Sequence, residues 1–496
     1  MPTDRLRASA GPSASTGLDR PVLGEFGCLV AGRWTRTGDA VEVRSPYDET
    51  LASVVQRAGP ADIERAIAGA SEAFETTRRL PSWKRSEILE KASAGIAARG
   101  EELARTLALE AGKPLKAARV EVSRAAFTFK VAAEEARRRY GEIVPLDWIP
   151  GMEGREALVR RVPLGVVAGI TPFNFPLNLV AHKVAPALAA GDPMILRPAS
   201  QTPVSALRLA EILLEAGWPP EALSVVPSRT SDAAPLIEDE RIRLLSFTGS
   251  PAVGWELKRR AGRKRVTLEL GGNAAVIVHG DADLDYAAER ITWGGFSYAG
   301  QSCISVQRIY VQEAVYEPFL EALLSRVRAL ELGDPLDEKT DVGPLIDRSA
   351  AERVEEWVNE ARAAGARVLA GGARRGNLWE PTVLDRLEPT LRVSCAEVFA
   401  PLVGLYPYSD VSEAIAAAGA SDFGLQAGLF THDERIIAAA VDGIEVGGLM
   451  VNDVSTFRID HMPYGGVRLS GFGREGVRYA IEEMTEMKLV TFNRGR

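Results

Sequence analysis

Apolar positions between residues 61 and 138 recur at helical spacing. Ile63, Ala66, Ile67, Ala70 and Phe74 share one face of a first helix. Ser82 is placed to cap a second helix, which Gly100 would end. A third is predicted over about 117–139, with Val120, Arg124, Phe127 and Val131 at steps of three and four. From residue 165 the period changes. Short apolar runs at 165–170, 194–196, 223–226, 244–247 and 266–268 alternate with helix-like stretches. The clearest of these helices is capped by Thr202, has Pro203 in its first turn and ends at Gly217. Fully apolar strands alternating with helices predict a parallel, doubly wound α/β sheet that binds ligands at the carboxyl ends of its strands. After about residue 274 a second block follows, with runs at 275–278, 308–311, 368–370, 427–430 and 448–451 and helices between them. It is long enough for a second α/β domain.

Composition narrows the classes. A chain of 496 residues suggests about three domains. It is 46% hydrophobic and 25% charged, a balance that packs large cores and excludes wholesale disorder. The net charge of −8 lacks the footprint of a nucleic-acid binder. Cys28, Cys303 and Cys395 lie too far apart for a disulfide framework or a cysteine zinc site. The four histidines are scattered singly, and no metal is expected. Residues 1–24 read as a disordered tail without the apolar run of a secretory signal, which points to a cytoplasmic enzyme. Residues 162–181 carry no charge, yet Pro163, Pro172 and Pro176 would break a membrane helix. That stretch reads as a buried strand followed by an unusual loop, and no membrane association is expected.

Two glycine motifs compete as phosphate cradles. Gly471-Phe-Gly473-Arg-Glu-Gly476 is a literal GxGxxG, but a Gly- and Pro-rich loop precedes it and the chain ends twenty residues later. No strand–helix–strand unit fits there, so it reads as a tight loop before a C-terminal helix. Thr248-Gly249-Ser250, by contrast, follows an apolar run and opens a helix. Gly249 permits close approach and Ser250 can cap the helix, whose N-terminus attracts phosphate. Taken alone, it is equally a plain strand–turn–helix joint.

Three residues carry candidate chemistry. Cys303, in Gly300-Gln-Ser-Cys303, has small neighbours that would let a carbonyl reach the sulfur. It reads equally as a packed small side chain. Glu269 ends a strand and precedes Gly271 and Gly272, where α/β sheets place their chemistry. Asn174 sits between Pro172 and Pro176, a rigid amide donor suited to an oxyanion or to its own turn.

Asn174 in PFNFP, Glu269 in LELGG, Cys303 in GQSC, Glu397 and Phe399 in EVFAP, and Asn452 in VND occur in one order and spacing. This arrangement resembles the aldehyde dehydrogenase superfamily, from about residue 25 onward. The resemblance implies that Cys303 forms a thiohemiacetal with an aldehyde. Asn174 and the Cys303 backbone N–H would then hold the oxyanion. Glu269 would activate water to hydrolyse the resulting thioester, giving a free acid. Relatives that pass the acyl group to coenzyme A lack this carboxylate. Thr248 and Ser250 would contact a pyrophosphate and Glu397 a nicotinamide ribose, with Phe173, Gly249, Gly254 and Phe399 also on the cofactor side. Where the family carries Lys-Pro at the adenosine ribose, this chain has Arg197-Pro198, and Ser200 replaces the Glu typical of NAD-specific relatives. NAD or NADP is therefore expected, with NADP tolerated.

For substrate, Arg124 matches an arginine of relatives acting on phosphorylated or phosphonate aldehydes, but Ser302 stands where they place a second one. Arg458 could supply charge from a nearby loop. Either arginine could instead serve in a structural ion pair. The segment 457–466 is similar to the lactaldehyde, glyceraldehyde and phosphonoacetaldehyde branch, which implies a small hydroxylated or singly anionic aldehyde. The implied domains are 25–141 with 161–272 for the cofactor, 273–481 for catalysis, and 142–160 with 482–496 as a β oligomerisation arm of a dimer or tetramer. The competing readings are a coenzyme A-acylating enzyme, a cysteine hydrolase pairing Cys303 with His182, and a catalytically silent protein on the same fold.

Overall fold

The computed structural model describes residues 22–138 and 141–494; the expected tail, up to residue 21, lies outside them. Five strands form the parallel heart of an eight-stranded sheet: Val166–Ile170, Met194–Arg197, Leu223–Val225, Ile242–Thr248 and Arg265–Glu269. In that chain order they stand 3-2-1-4-5 across the sheet. The order reverses between Val166–Ile170 and Ile242–Thr248, the crevice where doubly wound sheets bind their ligands. All but the ends of these strands are buried, because helices cover both faces.

The chain then crosses directly, through Leu270–Asn273, into a seven-stranded sheet. Its centre pairs Ala274–Val278 in parallel with Val306–Gln312 on one side and Gln426–Phe430 on the other. The predicted runs fall on these strands, but Thr382–Asp385 and Leu402–Tyr408 were not anticipated. Thr382–Asp385 takes Arg367–Ala370 antiparallel at the sheet edge. A third sheet of Gly141–Pro145, Arg155–Pro163 and Thr485–Asn493 is antiparallel. Before residue 60, two further strands, Cys28–Val30 and Arg33–Thr35, extend the first sheet.

Several helix ends differ from the sequence expectation. Ser82 is the first residue of Ser82–Ala98, and extended Pro81 takes the cap position. Gly100 opens the next helix, Gly100–Ala111, instead of closing the previous one. Pro203, not Thr202, caps Val204–Glu215. The orphan N–H groups of Val204 and Ser205 are satisfied from outside by the buried Glu110 carboxylate, at 2.8 and 3.0 Å, which a local capping rule cannot see. The stripe through Val120, Arg124 and Phe127 on Leu115–Ala136 is not the core face. Ala118, Val122, Ala125, Phe129 and Ala132 are buried there, while Val120 is 59% exposed. Val120 and Arg124 of the stripe border a cavity.

Among the described residues no helix is long and apolar enough to cross a membrane. The stretch 162–181 is, as read, a buried strand and the loop after it.

Candidate active site

The loop after Val166–Ile170 carries Phe173 and Asn174, and the turn after Ile242–Thr248 carries Gly249 and Ser250. They therefore flank the reversal point. Thr248 is in register with Glu269 on the neighbouring strand, and Gly249 N–H donates to the Glu269 carbonyl at 3.0 Å. The connection to the second sheet passes under the Cys303 loop. A Cβ on Gly272 would lie 2.2 Å from the Cys303 carbonyl oxygen, so only glycine fits.

Cys303 follows three left-handed residues, Tyr298, Ala299 and Gly300 (φ 49°, 53° and 65°). Two of them are not glycine, a strained turn that persists only when its surroundings hold it. Tyr298 donates its hydroxyl to the Ala111 carbonyl at 2.9 Å. Gln301 donates to Pro344 and accepts from Ile346 N–H. Asn174 Nδ2 donates to the Gln301 carbonyl at 3.0 Å, which ties the amide to the Cys303 loop and leaves its second N–H free. Asn174 also accepts from Phe175 N–H, so it serves its own turn as well.

One cavity of about 520 Å³ gathers these groups. Asn174, Glu269, Cys303, Phe173, Thr248, Gly249, Ser250, Glu397, Phe399, Arg124, Ser302 and Arg458 all border it. Arg197, Ser200 and Gly254 do not. Arg197 ends its strand with its guanidinium bound to the Ser228 carbonyl and the Thr230 hydroxyl. Ser200 is exposed. Gly254 lets its helix approach the sheet, since a Cβ would meet Leu270 at 2.4 Å.

Electrostatics set each group's resting state. Burial pushes the Cys303 thiol up to about 12; a Tyr464 hydrogen bond and Arg458 oppose the rise, while Glu397 and Glu269 add to it. Burial, with the neighbouring Glu475, also holds the Glu269 carboxyl well above its usual range, against Arg458, Lys183 and Arg474. Neither Glu269 oxygen has a hydrogen-bond partner, so both remain available to water or substrate. Glu397 is raised to about 7 by burial, although it accepts from Gly272 N–H at 2.9 Å.

Both candidate substrate arginines have partners. Arg124 makes a bidentate pair with Asp460 at 3.1 and 2.7 Å. Arg458 pairs with Glu475 at 3.1 Å, and its buried Nε has no partner. His182 binds Asp460 at 2.8 Å and does not border the cavity, which removes the base that a cysteine hydrolase would need. Sequence reasoning missed Lys183, Glu475 and Tyr464. Glu475 lies inside the misleading GxGxxG loop. Lys183 had a signal, as the one lysine in the largely apolar helix Asn178–Ala190, all of it buried.

The cavity has a side fitted to a dinucleotide. The Thr248 hydroxyl is buried without a partner, directly before the N-terminus of Pro251–Arg260, where the Ser250 side chain makes no capping bond. Unspent donors at a helix N-terminus suit a pyrophosphate.

Residues 34–490 match the aldehyde dehydrogenase family model. The chain belongs to that family. It is 46% identical over 473 residues to the 3-sulfolactaldehyde dehydrogenase of Priestia aryabhattai, covering 95% of this chain and 98% of that one. Aldehyde dehydrogenase 21 from Physcomitrella patens, solved with the reaction product succinate, superposes with a TM-score of 0.93 at 43% identity, covering 95% of this chain and 99% of that one. Glyceraldehyde-3-phosphate dehydrogenase GapN from Methanocaldococcus jannaschii, complexed with NADP, gives 0.88 at 39% identity, over 91% of this chain and 99% of that one. As an aldehyde dehydrogenase, the chain brings Cys303, Asn174 and Glu269 together on one cavity.

Proposed function

We propose that this aldehyde dehydrogenase oxidises a small anionic or hydroxylated aldehyde to its carboxylic acid with NAD or NADP. The observation that carries this is the convergence of Cys303, Asn174 and the unpartnered Glu269 on a cavity that also holds Arg124 and Arg458.

Cys303 gives up its thiol proton to solvent, and the thiolate sulfur adds to the aldehyde carbon. The free N–H of Asn174 and the backbone N–H of Cys303 hold the oxygen as it becomes an anion. A nicotinamide dinucleotide held here would supply the oxidant, as acceptor of the hydride that leaves that carbon. Thr248, Gly249 and Ser250 would hold its pyrophosphate and Glu397 its nicotinamide ribose, and Phe173 and Phe399, in edge contact at 5.9 Å, would form the adjacent apolar wall. Glu269 draws a proton from water, whose oxygen then attacks the thioester carbon and releases the acid from sulfur. Arg124 and Arg458 face the end of the cavity that takes the substrate's anionic or hydroxyl group, beside Ser302. Relatives named for sulfolactaldehyde and glyceraldehyde 3-phosphate, and one solved with succinate, support an anionic group there.

The cofactor body is assigned to 25–141 and 161–272, the catalytic body to 273–481, and the arm to 142–160 and 482–496. The arm's exposed Trp148, Ile143 and Leu489 favour a homo-oligomer, a dimer or tetramer that light scattering would size. The enzymatic test is growth of reduced-nicotinamide absorbance with a three-carbon anionic aldehyde. Acid should form with the wild type and not with Cys303→Ala; acid formation by Cys303→Ala would refute the reading.

A further inference from the structure

The Tyr464 hydroxyl lies 2.9 Å from Cys303 Sγ. Tyr464 is 3% exposed, and its main chain is clamped by two hydrogen bonds to Glu475, one in each direction. Glu475 in turn pairs with Arg458, whose guanidinium carbon lies 3.6 Å from the centre of the Tyr464 ring. Tyrosine, glutamate and arginine thus close a triangle that leaves the phenol one position, pointing at the sulfur. Ile304 and Leu425 pack around it.

We propose that Tyr464 is a positioning residue for the nucleophile: its O–H, locked by the Arg458–Glu475 pair, donates to the Cys303 sulfur and supports the thiolate. The inference rests on Cys303 being the nucleophile. In the neutral pair either group can donate. Once the sulfur loses its proton, only the phenol can, and a donor to an anion is about twice as strong as one to a neutral group. The phenol keeps its proton for this role, because burial and the nearby Cys303 hold it well above its ordinary value. Of the other charged groups facing the sulfur, Arg458 favours the thiolate while Glu397 and Glu269 disfavour it. Tyr464 is therefore the hydrogen-bond donor that offsets two carboxylates. The arrangement also ties the arginine at the substrate end of the cavity to the reacting atom through a single aromatic ring.

The test is the rate of Cys303 alkylation by iodoacetamide, followed by peptide mass from about pH 7 to about pH 10. Tyr464→Phe keeps the ring and its Arg458 contact and removes only the hydroxyl. Alkylation should slow about tenfold at each pH across this range. The kcat should fall while the KM for aldehyde and the thermal midpoint stay close to wild type, a split that simple loss of packing would not give. Alkylation at or above the wild-type rate in Tyr464→Phe would overturn the proposal. Acid formation by Cys303→Ala would instead refute the underlying assignment of the nucleophile, so the two failures are distinguishable.

Discussion

Lys113 and Glu121 form an ion pair in which neither side chain is more than 1% exposed. The ammonium also sits 3.8 Å from the ring centre of Phe175 and 4.2 Å from that of Tyr298. Phe175 follows Asn174, and Tyr298 begins the strained turn into Cys303. Glu121 meanwhile accepts the N–H groups of Leu177 and Asn178 at 3.0 and 3.1 Å. One buried cation therefore braces both the loop that carries Asn174 and the loop that carries Cys303. Burial lowers Lys113 to about 8 despite the pull of Glu121. Lys113→Met would leave Glu121 buried and uncompensated, at a cost of about 3–5 kcal/mol in urea unfolding. The kcat should fall as well, because both loops lose their brace.

Glu110 gives a pH signature. It is buried beneath the start of Val204–Glu215, and burial raises its carboxyl to about 7 although Val204 and Ser205 donate to it. A carboxyl whose folded pKa lies above its unfolded value of 4.5 contributes stability that is complete below that value. The contribution is lost as the pH rises through about 7. It amounts to at most about 3 kcal/mol. Glu110→Gln removes this dependence. The melting temperature of the wild type relative to Glu110→Gln should fall between about pH 5 and about pH 8, which calorimetry at matched ionic strength would check.

Arg124 is 26% exposed at its side chain and aligned by Asp460. Bidentate pairing with a carboxylate leaves part of its donor fork turned to the cavity. Arg124→Leu should raise the KM for a three-carbon anionic aldehyde about 10- to 100-fold, the worth of a hydrogen bond to a charged group. The KM for propionaldehyde should change little. Steady-state kinetics on the two substrates gives the comparison.

On the adenosine side, Arg197 is held by uncharged partners, and no carboxylate pairs with it among the described residues. Exposed Ser200 stands where NAD-specific relatives are expected to carry a Glu, so that position brings no carboxylate against a 2′-phosphate. NADP should be used, and a preference for NAD above about a hundredfold in kcat/KM would contradict this.

Much of the fold was legible because fully buried parallel strands leave an uninterrupted apolar run, as at 165–170 and 275–278. Strand Thr382–Asp385 escaped because its four residues, flanked by polar segments, carry no such run. Helix ends failed where a distant group did the capping, as Glu110 does for Val204. Asn174, Glu269 and Cys303 were each open to a plain structural reading from local chemistry, and the resemblance of their motifs in one order singled them out; the structure brings all three to one cavity. Lys113, Glu475 and Tyr464 could not, because their roles arise from contacts across the fold. The Arg124 stripe showed a helical face correctly but not which way it turned, since Val120 and Phe127 are apolar enough for either core or cavity.

The central claim is a cysteine-bound acyl group that Glu269 helps water to release. Its most direct test is rapid quenching of Glu269→Gln, mixed with a small anionic aldehyde and NADP, followed by peptide mass. The account predicts a burst of reduced cofactor close to one equivalent per active site, very slow turnover afterwards, and the acyl mass on the peptide containing Cys303. Multiple turnovers at the wild-type rate with no acyl mass on Cys303 would contradict it.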